Sequence, residues 1–262
     1  MPRFAGLALA MLLAHACAAP ARADARVTFP SAAASGRSGR QIQGYLAIPE
    51  GAGPFPAVVL LHSCLGLPSN RRAIEAALTA QGYAALFVDE FSTRGLKETC
   101  AVDFPQGLGD AYGALAFLAR LPEVDPDRIA AVGFSQGADT ALKIAASRPA
   151  PAFALSRGAK FRAAAAFYPP CANVEGRRLA TPTLILVGSA DGVTPAADCE
   201  RLAKNNADTA KLIVYPGAAH CFDDPAFRGG RSVLGMVLKY DPAAAKASRR
   251  DLGAFLAETL AR

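Results

Sequence analysis

The residues with the clearest chemical potential are a serine between two glycines. Gly133-Phe134-Ser135-Gln136-Gly137 follows the apolar run Ile129-Ala130-Ala131-Val132 and precedes a helical pattern running to about Ser147. In a G-x-S-x-G elbow the serine occupies a strained strand-to-helix turn, and the flanking positions must be small so that neighbouring backbones can approach. The five-residue pattern alone recurs by chance, and its strand-turn-helix setting is what gives it weight. A helix beginning at Gln136 also aims its first N–H groups at developing negative charge. The competing reading is an ordinary glycine-bounded turn with an idle serine.

A serine nucleophile requires a base, most often histidine. Beyond residue 23 the chain holds two, His62 and His220. This type of elbow goes with the chain order serine, acid, histidine, which selects His220, on the loop after the apolar run Lys211 to Tyr215. The acid belongs between them at the carboxyl end of a strand, where it holds the imidazole tautomer and stabilises imidazolium. Asp191, reached from the run Thr183 to Val187 through Gly188-Ser189-Ala190, meets that requirement. Asp198, Glu200 and Asp208 fall on the next helical pattern or the turn after it, and Asp223 and Asp224 follow the histidine. An oxyanion hole would use the N–H of Gln136 and one from the loop His62-Ser63-Cys64-Leu65-Gly66, each worth on the order of 3 kcal/mol in the transition state.

The elements that must position these groups are legible in the hydrophobic pattern. Strands are expected over Gln41 to Ile48, Ala57 to Leu61, Tyr83 to Val88, Ile129 to Val132, Arg162 to Phe167, Thr183 to Val187 and Lys211 to Tyr215. Helices are expected over Arg71 to Gln81, Gly109 to Leu121 and from Gln136, with a further one started by Thr194-Pro195 and a C-terminal one started by Asp241-Pro242. This alternation predicts a mostly parallel sheet with helices on both faces, in one domain, with function at the carboxyl ends of the strands.

Arg3, the apolar run Phe4 to Ala14 and the small residues ending at Ala21-Arg22-Ala23 read as a signal peptide over 1–23, leaving a single domain over 24–262. The run is about half the roughly 20 residues a membrane span needs, so no membrane association is expected after cleavage. An exported chain, periplasmic or secreted, meets an oxidising compartment in which disulfides persist. Cys64, Cys100, Cys171, Cys199 and Cys221 remain after cleavage, and no CxxC pair is present. Two bridges with one free thiol can be drawn in several ways, and five buried thiols are the other reading. The 262 residues are 52% hydrophobic and 19% charged, which excludes disorder as the main state. The formal charge of +6 is spread without a basic run, so nucleic acid is not an expected partner.

Together, His62-Ser63-Cys64-Leu65-Gly66-Leu67, Asp89-Glu90-Phe91 with Arg94-Gly95, the Ser135 elbow, Gly188-Ser189-Ala190-Asp191 and Tyr215-Pro216-Gly217-Ala218-Ala219-His220 resemble the dienelactone hydrolase family of α/β hydrolases. The similarity runs from about Gln41 to Leu260. It implies an α/β-hydrolase fold without a large lid domain, a Ser135, Asp191, His220 triad and an oxyanion hole from the N–H groups of Cys64 and Gln136. It also implies bridges Cys64 to Cys100 and Cys171 to Cys199, leaving Cys221 free beside His220. Two departures bear on substrate. The family's founding enzymes have a cysteine nucleophile with a nearby glutamate, where this chain has Ser135 and Ser63. They hold a substrate carboxylate with two arginines; Arg94 is a candidate for the first, and the second place, near Asp224, is acidic. The expected activity is hydrolysis of a small carboxylic ester or lactone through an acyl-enzyme, with no metal or organic cofactor. An acyltransferase on the same triad and a non-catalytic binding protein on this scaffold are the alternatives. The sequence leaves oligomeric state open.

Overall fold

The computed structural model describes residues 22–33, 39–146 and 159–261. The expected leader therefore lies outside the described residues, apart from Arg22 and Ala23, which open the first strand. Among the described residues eight strands form one sheet: β1 Arg22–Pro30, β2 Gln41–Ile48, β3 Phe55–Leu61, β4 Ala84–Asp89, β5 Val124–Phe134, β6 Ala163–Phe167, β7 Thr183–Gly188 and β8 Ala210–Tyr215. Their order is β1-β2-β4-β3-β5-β6-β7-β8. β2 runs antiparallel to both β1 and β4, and every pairing from β4 through β3 to β8 is parallel.

Among the described residues five helices cover this sheet: α1 Arg71–Thr79, α2 Gly107–Leu118, α3 Gln136–Ala145, α4 Ala196–Lys204 and α5 Pro242–Thr259. The period of two along each strand divides the core between the faces. Val58 and Leu60 of β3 and Leu184 and Leu186 of β7 pack with Leu78 of α1 and Leu252 and Phe255 of α5. Val59 and Leu61 turn the other way, onto Leu115 and Leu118 of α2. Ala164, Ala166, Ile185 and Val187 meet Leu142 of α3 and Leu202 of α4 on that same side. Burial on both faces is why these strands read as continuous apolar runs rather than alternating ones. The expected α/β-hydrolase architecture is present, and residues 168–182 between β6 and β7 hold one 3-10 turn, Cys171–Val174, rather than a lid domain.

β5 is longer than the expected Ile129 to Val132, α2 lies two or three residues upstream of the expected Gly109 to Leu121, and three further features differ from the sequence expectation. β1 was not anticipated: Val27 and Phe29 turn inward while Arg26 and Thr28 stay exposed, the alternation of a half-buried edge strand. A short hairpin, β9 Arg231–Val233 with β10 Met236–Leu238, stands between His220 and α5. Thr194-Pro195 does not cap α4 as expected: the helix starts at Ala196, Pro195 lies outside it with φ −57° and ψ 134°, and no side chain caps it. Asp241 does cap α5 as expected, its carboxylate accepting from the N–H groups of Ala243 and Ala244.

Candidate active site

The carboxyl ends of β3, β5, β7 and β8 converge on one place, and the loops leaving them carry the residues singled out from the sequence. Ser135 leaves β5 with φ 51° and ψ −109°, a conformation that costs a residue with a Cβ on the order of 1–3 kcal/mol. Close packing imposes it. A Cβ on Gly133 would stand 2.0 Å from the Gly137 carbonyl oxygen, and one on Gly137 would stand 2.2 Å from that of Leu61. The Ser135 N–H donates to the Phe167 carbonyl at 3.0 Å, tying the turn to β6. Both glycines of the elbow are thus steric requirements of a backbone folded tightly on itself.

His220 brings Nε2 to 3.0 Å from Ser135 Oγ and Nδ1 to 2.8 Å from Asp191 Oδ2. With the Nδ1 proton on the Asp191 side, the Nε2 lone pair faces the serine hydroxyl. Asp191 Oδ1 accepts from the N–H groups of Val193 and Thr194, both at 2.9 Å. Burial acts to raise the Asp191 pKa, but the hydrogen bond and charge of His220 and those two N–H groups outweigh it, so the carboxyl lies below its ordinary value. The Thr194 hydroxyl lies 2.9 Å from Asp191 Oδ2 and 3.1 Å from the Tyr168 carbonyl. Its expected capping role is replaced by this contact to the acid. The Tyr168 ring stacks obliquely on the imidazole, centroids 4.6 Å apart, and the His220 carbonyl accepts from the Lys239 N–H at the end of β10.

The Gln136 N–H lies in the first turn of α3 and the Cys64 N–H on the loop after β3. Among the described residues no protein acceptor takes up either N–H. His62 sits apart from this group, fully buried. Its Nδ1 donates to the Ser63 carbonyl at 2.7 Å and its Nε2 accepts from the Glu90 N–H. Desolvation lowers its pKa to about 4, so it is a neutral prop for the loop.

Arg94 is committed elsewhere: its guanidinium binds the buried Asp110 carboxylate at 2.7 and 2.9 Å and also donates to the Glu90 carbonyl. A cavity of about 290 Å³ is walled by Phe134 and Cys221, the chain neighbours of Ser135 and His220, together with Ser63, Tyr168, Asp223, Asp224 and Arg231. Asp223 accepts from the Tyr168 hydroxyl at 2.7 Å, and its pKa is pushed up to about 6, chiefly by burial. Asp224 accepts from the Ser69 hydroxyl at 2.6 Å. Disulfides join Cys64 to Cys100 and Cys171 to Cys199, and Cys221 is free and buried, its thiol pushed well up by desolvation. Tyr168 and Thr99, both with polar contacts to these residues, do not stand out in the sequence, and Thr194 reads there only as a helix cap. A threonine or tyrosine in a loop carries no spacing that announces such a contact.

Residues 42–260 match the family model described as the dienelactone hydrolase family. An uncharacterised protein of Mycobacterium tuberculosis is 30% identical over 218 residues, covering 78% of this chain and 76% of its own length. Among solved structures, a dienelactone hydrolase-like promiscuous phosphotriesterase from metagenomic libraries superposes with TM-score 0.69 at 21% identity, covering 91% of this chain and 99% of that one. A butyrate-bound esterase of Thermogutta terrifontis superposes with TM-score 0.65 at 17% identity, covering 85% and 91%.

Proposed function

Because the chain belongs to the dienelactone hydrolase family and is a carboxylic ester hydrolase, we propose that it works through an acyl-enzyme on Ser135, with His220 as base and Asp191 as its orienting acid. The observation that carries this is the continuous hydrogen-bonded line from Ser135 Oγ through both ring nitrogens of His220 to Asp191. His220 takes the hydroxyl proton as Oγ attacks the ester carbonyl, and the oxyanion forms against the N–H groups of Cys64 and Gln136. His220 then returns the proton to the departing alkoxide, alcohol leaves, and water repeats the two steps on the acyl-enzyme.

The preferred substrate is a small carboxylic ester or lactone. Arg94 is neutralised by Asp110 and so offers no free guanidinium at the first expected place, while the cavity walls carry Arg231 beside Asp223 and Asp224. A cavity of about 290 Å³ is at the small end for ligand sites. The mature domain is 24–262, exported after loss of 1–23; the two disulfides support an oxidising compartment, and among the described residues no helix is long and apolar enough to cross a membrane.

The test is mass spectrometry after a fluorophosphonate probe, alongside turnover of short p-nitrophenyl esters. Label on Ser135 that is absent in Ser135→Ala and much slower in His220→Ala, with matching losses of turnover, is the expected result. A folded protein that neither labels nor hydrolyses these esters would remove the acyl-enzyme reading.

A further inference from the structure

We propose that Thr99 is a positioning residue for the oxyanion hole, holding the two residues that supply its donors from a single buried point. Thr99 is 3% exposed and lies on the loop that leads into α2. Its N–H donates to the Cys64 carbonyl at 2.9 Å, and its hydroxyl donates to Gln136 Oε1 at 2.8 Å. Cys64 and Gln136 are the two residues assigned to the oxyanion above, so the inference rests on that reading. The residue after Thr99 is Cys100, which is covalently joined to Cys64.

These contacts act on different parts of the two residues. At Cys64 the disulfide fixes the side chain and Thr99 fixes the carbonyl, so the Cα has little freedom left to swing its N–H. At Gln136 the amide Nε2 is buried without a hydrogen-bond partner among the described residues, which leaves the Thr99 hydroxyl as the polar contact on that side chain. Gln136 is also the first residue of α3, directly after Ser135, so holding it holds the helix end that carries the N–H assigned to the oxyanion. Oxyanion donors work by being fixed in advance where charge develops, and a small displacement loses transition-state stabilisation without weakening ground-state binding. Losing the clamp therefore reduces kcat more than it changes KM.

Thr99→Val removes the hydroxyl at nearly constant shape, and Thr99→Ser keeps it. On a short p-nitrophenyl ester the valine variant is expected to lose about tenfold in kcat with KM within about twofold of the parent. Its affinity for a trifluoromethyl ketone, which forms the tetrahedral oxyanion, should fall by a similar factor, and Thr99→Ser should recover most of both. A merely structural role would lower the unfolding midpoint without this split between kcat and KM. Gln136→Leu cuts the same contact from the other side, provides the reading if the valine variant does not fold, and should add little when combined with it. A folded Thr99→Val with parental kcat, or a loss that Thr99→Ser does not recover, overturns the inference. If the parent itself fails to label at Ser135, the acyl-enzyme reading falls and this one with it; a labelled parent with an indifferent Thr99→Val removes only the clamp.

Discussion

Asp191 shows how much of the candidate site depends on groups beside the three side chains proposed to react. Its two oxygens take hydrogen bonds from the N–H groups of Val193 and Thr194, the Thr194 hydroxyl and His220. That set keeps the carboxylate ionised and the imidazole in the tautomer that presents Nε2 to the serine. Asp191→Asn preserves the shape but favours the wrong tautomer, so kcat for a neutral ester should fall about 10³- to 10⁴-fold with KM little changed, as steady-state kinetics would read. Asp223 presents the opposite case, a buried carboxyl whose pKa is raised from 3.8 to about 6. Between those values the folded chain binds the extra proton, so stability contributed at this position falls as pH rises, and above pH 6 the buried charge costs on the order of 2–3 kcal/mol. Urea unfolding of Asp223→Asn should therefore move in the variant's favour, relative to the parent, by about 2 kcal/mol between pH 4 and pH 7.5. A difference independent of pH would show that Asp223 titrates alike in both states. The sequence named Ser135, Asp191 and His220 because a motif, a chain order and a shortage of histidines converged on them. Thr194 was assigned to a helix cap because a threonine before a proline suits that role on local grounds alone, and only the fold reveals that its hydroxyl turns back to the acid.

At the scale of elements, the elbow joining β5 to α3 depends on backbone contacts that cannot relax by moving a side chain. Gly137→Ala would place a methyl group 2.2 Å from the Leu61 carbonyl oxygen, so β3 and α3 would have to separate. A loss of about 3 kcal/mol or more in unfolding free energy is expected, with Ser135 labelling slowed in whatever remains folded. By contrast, a Cβ on Gly192, beside the acid, has nothing within 4 Å, so Gly192→Ala should leave both readouts close to parental. The strands were legible in the hydrophobic pattern: β2 matches its expected span, β3, β4, β6, β7 and β8 differ by one or two residues at an end, and β5 begins five residues before its apolar run, where Asp125, Pro126, Asp127 and Arg128 hide it. β1 escaped because an edge strand shows only weak alternation, and because its first residues also suit a cleavage site. The hairpin of β9 and β10 escaped for a different reason. Three residues per strand are too few for any period to show, yet the end of β10 supports the carbonyl of His220.

For the molecule as a whole, the two disulfides sit in different mechanical positions, and the same reduction should therefore have two separable consequences. Cys171 to Cys199 ties the 3-10 turn after β6 to α4, closing a separation of 28 residues. Constraint of the unfolded chain at that loop length is worth about 3–4 kcal/mol in the chain-entropy account. Both cysteines are buried in the cluster beneath α3 and α4, and neither is bonded to a residue assigned to the chemistry. Cys64 to Cys100 closes a comparable separation of 36 residues, so its effect on the unfolded state should be similar. One of its ends, however, belongs to the loop proposed to supply an oxyanion donor, and the other adjoins Thr99. Replacing Cys171 and Cys199 with serine should lower the unfolding midpoint while kcat stays within about threefold of the parent. Replacing Cys64 and Cys100 should lower the midpoint to a similar extent and also reduce kcat about tenfold, because the backbone of one proposed oxyanion donor loses its covalent anchor. Measuring kcat well below both midpoints keeps unfolding out of the comparison. Equal activity losses in the two double variants would mean that the bridges serve the fold alone, whereas a loss confined to the Cys64 pair would show that the covalent framework also maintains the geometry of the site.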